Sequence, residues 1–99
     1  MLNIEKKIDG EHAVVALEGR LDTVTAPELE KELADCLEGK SELVMDFAKL
    51  EYISSAGLRV LLSAHKKLSK TGSFKITNVN ETIMEIFEVT GFSDILTIE

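Results

Sequence analysis

"SELVMDFAKLEYISSAGLRVLL", Ser41 to Leu62, carries the chain from a strand into a helix, and its reading decides the architecture. "SELVMDF" has the apolar density of a strand covered on both faces, the usual state of a central parallel strand, and Asp46 is its exception. The strand is expected to end near Phe47 and to pass through "AKLEYI" as a short connection. From about Ala56 to Lys70, the residues Leu58, Leu61, Leu62, His65 and Leu68 fall on one helical stripe, and Thr71 and Gly72 close it.

The flanks repeat the same alternation. Residues 2 to 8 alternate loosely, end at the turn dipeptide Asp9-Gly10, and are followed by "HAVVALEG" from His12, a second strand, so the two are expected to form a hairpin. In "TAPELEKELADCLEG", Thr25 to Gly39, the residues Leu29, Leu33, Cys36 and Leu37 recur at helical spacing. Thr25 and Glu28 read as a capping box, Pro27 suits the first turn and Gly39 is a natural stop. "SFKITNV" from Ser73 is another strand. "NETIMEIFEVTGF" from Asn80 is a helix stopped by Gly91, and "DILTIE" is a short final strand or extended tail. Strands alternating with helices after a hairpin require right-handed crossovers, which make neighbouring strands parallel. The expected fold is α/β, with a mixed, mostly parallel sheet of four to five strands packed with amphipathic helices.

At 99 residues the chain has room for one domain, 1–99, with one modest core. Eighteen acidic residues against eleven basic ones give a net charge of −7, which disfavours nucleic acid and anionic lipid. The local exception, His65, Lys66, Lys67 and Lys70, sits near a helix end where cations suit the macrodipole. Cys36 is the one cysteine, so neither an intramolecular disulfide nor a cysteine-built metal site is expected. No signal-peptide pattern or long apolar run opens the chain, and the expected location is the cytoplasm, with no membrane partner.

In sheets of this kind functional groups gather where strands end and helices begin. That places Ser54 and Ser55 at the centre of attention. Either hydroxyl can cap an unpaired amide of the helix, worth about 0.5–2 kcal/mol relative to alanine. Two serines followed by small Ala56 and Gly57 also leave hydroxyls accessible. Nucleophilic catalysis fits poorly, because the pattern is Ser-Ser-Ala-Gly rather than Gly-x-Ser-x-Gly, His12 opens an early strand, and His65 lies about three turns from Ser54. Phosphorylation fits better. A phosphate at a helix N-terminus meets free amides, while a partner docked there meets about −1.5 to −2 of added charge.

"GRLDTVTAPEL", "LVMDFAKLEYISSAGLRVLL" and "IFEVTGF" resemble, in order and spacing, the three signature regions of the STAS domain, specifically bacterial anti-sigma-factor antagonists. Gly19, Leu21 and Asp22, then Asp46, then Ser55, Gly57 and Leu58 carry the match. The resemblance implies a regulatory protein without catalytic activity, metal or cofactor. Its partners would be an anti-sigma factor with serine kinase activity and a PP2C-type phosphatase. Binding the first would release the sigma factor, phosphorylation would switch the antagonist off, and the phosphatase would reset it.

Motif matching makes Ser55 the acceptor, two residues before the glycine of the Gly-Leu pair, with Ser54 as second choice. Many phosphorylated relatives have Asp where this chain has Ser54. The implied partner surface comprises Asp22, Thr23, Ser54, Ser55, Ala56, Gly57, Leu58 and Arg59. On their own residue types, Asp22 reads as a turn former, Asp46 as a satisfied polar residue near a strand end, and Arg59 either as a solvated helix arginine or, beside Ser55, as a contact for the partner's acidic surface or the phosphate. The resemblance equally admits a non-switching STAS subunit or scaffold of a lipid transporter or a stress-signalling assembly.

Overall fold

A computed structural model describes residues 2–37 and 41–99, with the side chains of Cys36, Leu37, Lys70 and Thr71 outside that description. The core roles expected of Cys36 and Leu37, the stop at Gly39 and the contribution of Lys70 to the basic cluster lie outside the described residues. The elements run β1 (Leu2–Asp9), β2 (His12–Leu21), α1 (Ala26–Leu37), β3 (Glu42–Ile53), α2 (Ser55–Thr71), β4 (Ser73–Thr77), α3 (Glu81–Thr90), α4 (Phe92–Ile95) and β5 (Thr97–Ile98).

Five strands form one sheet in the order β1-β2-β3-β4-β5. The β1–β2 hairpin is antiparallel, with Asp9 opposite His12, and every later pairing is parallel. Because strands β2 to β5 are laid down in sequence order, crossovers of one hand deliver their helices to the same face. Burial follows that geometry. Ala13, Val15 and Leu17 of β2 are buried while His12, Val14 and Glu18 between and beside them are exposed. Lys6 of β1, on the same face as Val15, reaches Glu32 of α1 at 2.5 Å.

Two expectations are corrected by β3. The strand does not stop near Phe47 but continues for all twelve residues to Ile53, and it is covered on one face only. Leu43, Met45 and Phe47 are buried, whereas Val44 is half-buried on the open face beside its register partners Val14 and Lys75. Pairing to β4 ends at Asp46 and Thr77, and the rest of β3 pairs with β2 alone through two register shifts, after Ala16 and after Gly19. Each shift leaves one extra residue in β3 and interrupts the two-residue period, so "AKLEYI" does not look like a strand.

The core centres on Phe47, Leu50, Ile53, Leu61, Ile76, Ile83 and Phe87, with the rings of Phe47 and Phe87 at 6.5 Å. Val60 and Ala64 join the α2 stripe in the core, while Leu62 and His65 are only half-buried at its edge. Phe92, in the short helix α4 that the sequence pattern does not announce, packs against the same core. Gly72 permits the close approach of α2 and β4 to Ser41. A Cβ there would stand 1.6 Å from the Ser41 carbonyl oxygen, which accepts a hydrogen bond from the Ser73 amide at 2.7 Å.

Candidate functional site

The C-terminal ends of β2 and β3 lie side by side, with Leu21 opposite Ile53, and the chain leaves them to start α1 and α2. The Ser54 amide donates to the Leu21 carbonyl at 2.8 Å, so the step from β3 into α2 is fastened to the end of β2. Ser54 itself stays extended, at φ −98° and ψ 175°, and its hydroxyl accepts from the Gly57 amide at 3.4 Å. Ser54 is therefore the N-cap and is half-buried. Ser55 is the first helical residue, one earlier than expected. It is exposed, and its hydroxyl has no hydrogen bond among the described residues.

Gly57 and Leu58 are buried, so they hold the turn rather than present a surface. A Cβ on Gly57 would lie 2.7 Å from Leu21 Cγ and 2.9 Å from Ile53 Cγ1. Only a residue without a side chain lets the first turn of α2 settle onto the two strand ends.

Across from the serines, Asp22 to Thr25 form a compact turn. Asp22 Oδ1 accepts from the amides of Val24 and Thr25, each at 3.0 Å. Thr25 Oγ accepts from the Asp22 amide at 2.9 Å and donates to the Arg20 carbonyl at 2.9 Å. This corrects the capping box: the Thr25 hydroxyl turns back toward the strand, and the Glu28 amide bonds the Thr25 carbonyl at 3.0 Å instead. The Thr25 amide, followed by the Thr25 hydroxyl and the Val24 amide and helped by the charge of Arg20, holds the Asp22 carboxyl below its ordinary 3.8 against an opposing effect of burial. Asp22 is thus a turn former whose side-chain hydrogen bonds run to Oδ1, and Thr23 and Val24 form the exposed tip, with Val24 81% exposed.

Between this tip and α2 runs an open groove of about 200 Å³, lined by Thr23, Ala26, Pro27 and Glu30 on one side and by Ala56, Arg59 and Val60 on the other. Asp22, Thr23, Ser54, Ser55, Ala56 and Arg59 are accordingly gathered at one end of the sheet. Asp46 is not. It lies seven residues back along β3, on the order of 20 Å at strand rise. There it accepts from Asn78 Nδ2 at 3.0 Å and from the Ala48 amide at 2.9 Å, and the Asn78 contact is the main cause of its lowered pKa.

His12 pairs with Glu42 at the far end of β2, and His65 stands ten residues along α2 from Ser55, about 15 Å. No histidine reaches the serines. Among the described residues, no group of three or more His, Cys, Asp and Glu side chains is placed to hold a metal ion, and no helix is long and apolar enough to cross a membrane.

Two features escaped the sequence reading. Arg20 stacks on the ring of Tyr52 at 4.6 Å, the pair sitting opposite one another in the β2–β3 register. Asn80 caps α3 through Ile83 and donates from Nδ2 to the Leu50 carbonyl at 2.9 Å, holding the β4–α3 loop to the second half of β3. Register alone would have revealed the first, had the length of β3 been known.

The family model of the STAS domain matches residues 3–99. The chain belongs to the STAS domain family. A protein of Bordetella bronchiseptica assigned as an anti-sigma factor antagonist, BtrV, is 38% identical over 91 residues, covering 90% of this chain and 78% of the relative. The anti-sigma-B factor antagonist of Bacillus subtilis is 30% identical over 98 residues, covering 98% of this chain and 90% of the relative. Among solved structures, an anti-sigma factor antagonist from Mycobacterium paratuberculosis superposes with TM-score 0.89 at 24% identity, covering 99% of this chain and 85% of that one. The Bacillus cell fate determinant SpoIIAA in its phosphorylated form superposes with TM-score 0.74 at 18% identity, covering 100% of this chain and 91% of that one. These last two likenesses concern the STAS fold.

Proposed function

We propose that this STAS protein is an anti-sigma-factor antagonist whose binding surface is the strand-end cluster of Asp22, Thr23, Ser54, Ser55, Ala56 and Arg59, and that phosphorylation of Ser55 switches it off. The names of its relatives in Bordetella and Bacillus supply the class of partner, an anti-sigma factor. One observation carries the choice of acceptor: the Ser54 hydroxyl is engaged as the N-cap of α2, whereas the exposed Ser55 hydroxyl has no partner among the described residues. In this reading the anti-sigma factor is also a serine kinase. The Ser55 hydroxyl attacks the γ-phosphorus of ATP and loses its proton, and ADP leaves. A PP2C-type phosphatase restores the serine by hydrolysis of the phosphate ester.

Energetics favour a switch at this place. The phosphate meets the first amides of α2, so the fold tolerates it with an electrostatic gain of about 0.3–1 kcal/mol. The interface does not tolerate it equally, since a loss of only ~2.8 kcal/mol weakens binding a hundredfold. Incubation with the cognate kinase and ATP, followed by mass spectrometric mapping, is expected to place the phosphate on Ser55, and Ser55→Ala is expected to abolish incorporation. Ser55→Asp should bind the kinase more weakly than Ser55→Ala; equal affinities, or no phosphate on Ser55, would refute the switch.

A further inference from the structure

Arg59 stands four residues after Ser55 in α2, and both are exposed. At this spacing two residues are neighbours on the helix surface, with Cβ atoms about 5–6 Å apart. A long helical side chain also leans back over the turn N-terminal to its own Cα, which for Arg59 is the turn that begins with Ser55. Arg59 has no ion pair or hydrogen bond among the described residues and is one of the residues lining the groove beside Ala56. Arg20, the cation at the end of β2, is already stacked on Tyr52.

We infer that Arg59 is the internal anchor of a phosphate on Ser55. The inference rests on the phosphorylation reading above and adds to it the group that receives the phosphate. A guanidinium offers paired N–H donors that match two phosphate oxygens, and the order of acid before base along the helix is the favourable one. Modification then changes the surface twice. It adds about −1.5 to −2 of charge at Ser55, and it draws the Arg59 guanidinium onto the phosphate. A partner that reads Arg59 loses that cation at the same moment as it meets the new anion.

The test uses the full chain with phosphoserine installed at position 55 during synthesis, which makes it independent of any kinase. Phosphorus NMR follows the second ionisation of the phosphate as pH is raised. Arg59→Gln is expected to lower the second ionisation constant about twofold, raising the pKa, while Arg59→Lys falls between and Arg20→Gln leaves it unchanged. The same constant in the unsubstituted chain and in Arg59→Gln would overturn the anchor, as would an equal change in Arg20→Gln. Neither result touches the phosphorylation reading, which fails separately if the cognate kinase leaves Ser55 unmodified.

Discussion

The Ser54 amide and the Leu21 carbonyl oxygen, 2.8 Å apart, couple the start of α2 to the end of β2. That bond ties together the two segments carrying the proposed binding surface, the Asp22–Thr25 turn and the first turn of α2. Their relative placement is set by backbone and core, so changes that never touch a partner are expected to disturb binding.

Gly57 gives the most direct case. Alanine at this position would press its Cβ against fully buried Leu21 and Ile53. Overpacking costs about 1–3 kcal/mol, and the better helix propensity of alanine returns about 0.5–1 kcal/mol. At mid-range these leave Gly57→Ala destabilising the fold by about 1 kcal/mol, read as a lower urea midpoint at unchanged slope. An unchanged midpoint would mean that α2 does not sit this close to the strand ends.

Ser54 separates capping from signalling. Ser54→Ala removes the acceptor of the Gly57 amide and should cost about 0.5–2 kcal/mol, while Ser54→Asp keeps an acceptor and adds a favourable charge at the helix start. Thermal unfolding should thus rank Ser54→Ala below both the unsubstituted protein and Ser54→Asp. Kinase assays on the same pair report whether an acid before Ser55 improves phosphorylation, and incorporation into both variants is expected because the acceptor is the next residue.

Much of this arrangement is legible in the sequence, and the exceptions have physical causes. Helical stripes in α1, α2 and α3 and the Asp9-Gly10 turn announce four to five strands and three helices in the right order, because each amphipathic element buries one side against one sheet. The second half of β3 is hidden by its two bulges. Coverage of one face instead of two is hidden because Val44 is shielded by strand neighbours and reads as core. Thr25 and Glu28 satisfy the capping-box pattern, yet Asp22 three residues earlier competes for the same threonine and wins. At the serine pair, residue type cannot rank two hydroxyls; the extended backbone of Ser54 does.

Acid should weaken the fold through Asp22 and Asp46. Both carboxyls are held below their ordinary 3.8, Asp22 chiefly by the Thr25 amide and Asp46 chiefly by Asn78. Near pH 4 the unfolded chain takes up protons that the folded chain refuses. The stability they contribute is therefore complete at neutral pH and is lost as pH falls through their folded-state values. Asp46→Asn keeps an acceptor for Asn78 and Ala48 but carries no charge, so at neutral pH it should lose the part of the stability that the ionised carboxylate contributes, and its decline below about pH 4 should be shallower, the two proteins converging in acid. Unfolding midpoints measured from pH 7 to pH 3 check this, and parallel curves for the two proteins would contradict it.

Thr25 tests whether the turn opposite the serines depends on its buried hydroxyl. Thr25 is 5% exposed, and its Oγ joins the Asp22 amide to the Arg20 carbonyl. Valine matches its shape but leaves that amide and that carbonyl without their partner, a cost of about 1–3 kcal/mol. Serine keeps the hydroxyl and loses only a methyl group, about 0.8 kcal/mol. Thr25→Val should therefore be the less stable of the two and should show faster hydrogen exchange at the Asp22 amide, whereas Thr25→Ser should keep that amide protected. If the turn positions Asp22 and Thr23 for a partner, Thr25→Val also weakens kinase binding with both serines intact. Equal protection of the Asp22 amide in the two variants would show that Asp22 Oδ1 alone holds the turn.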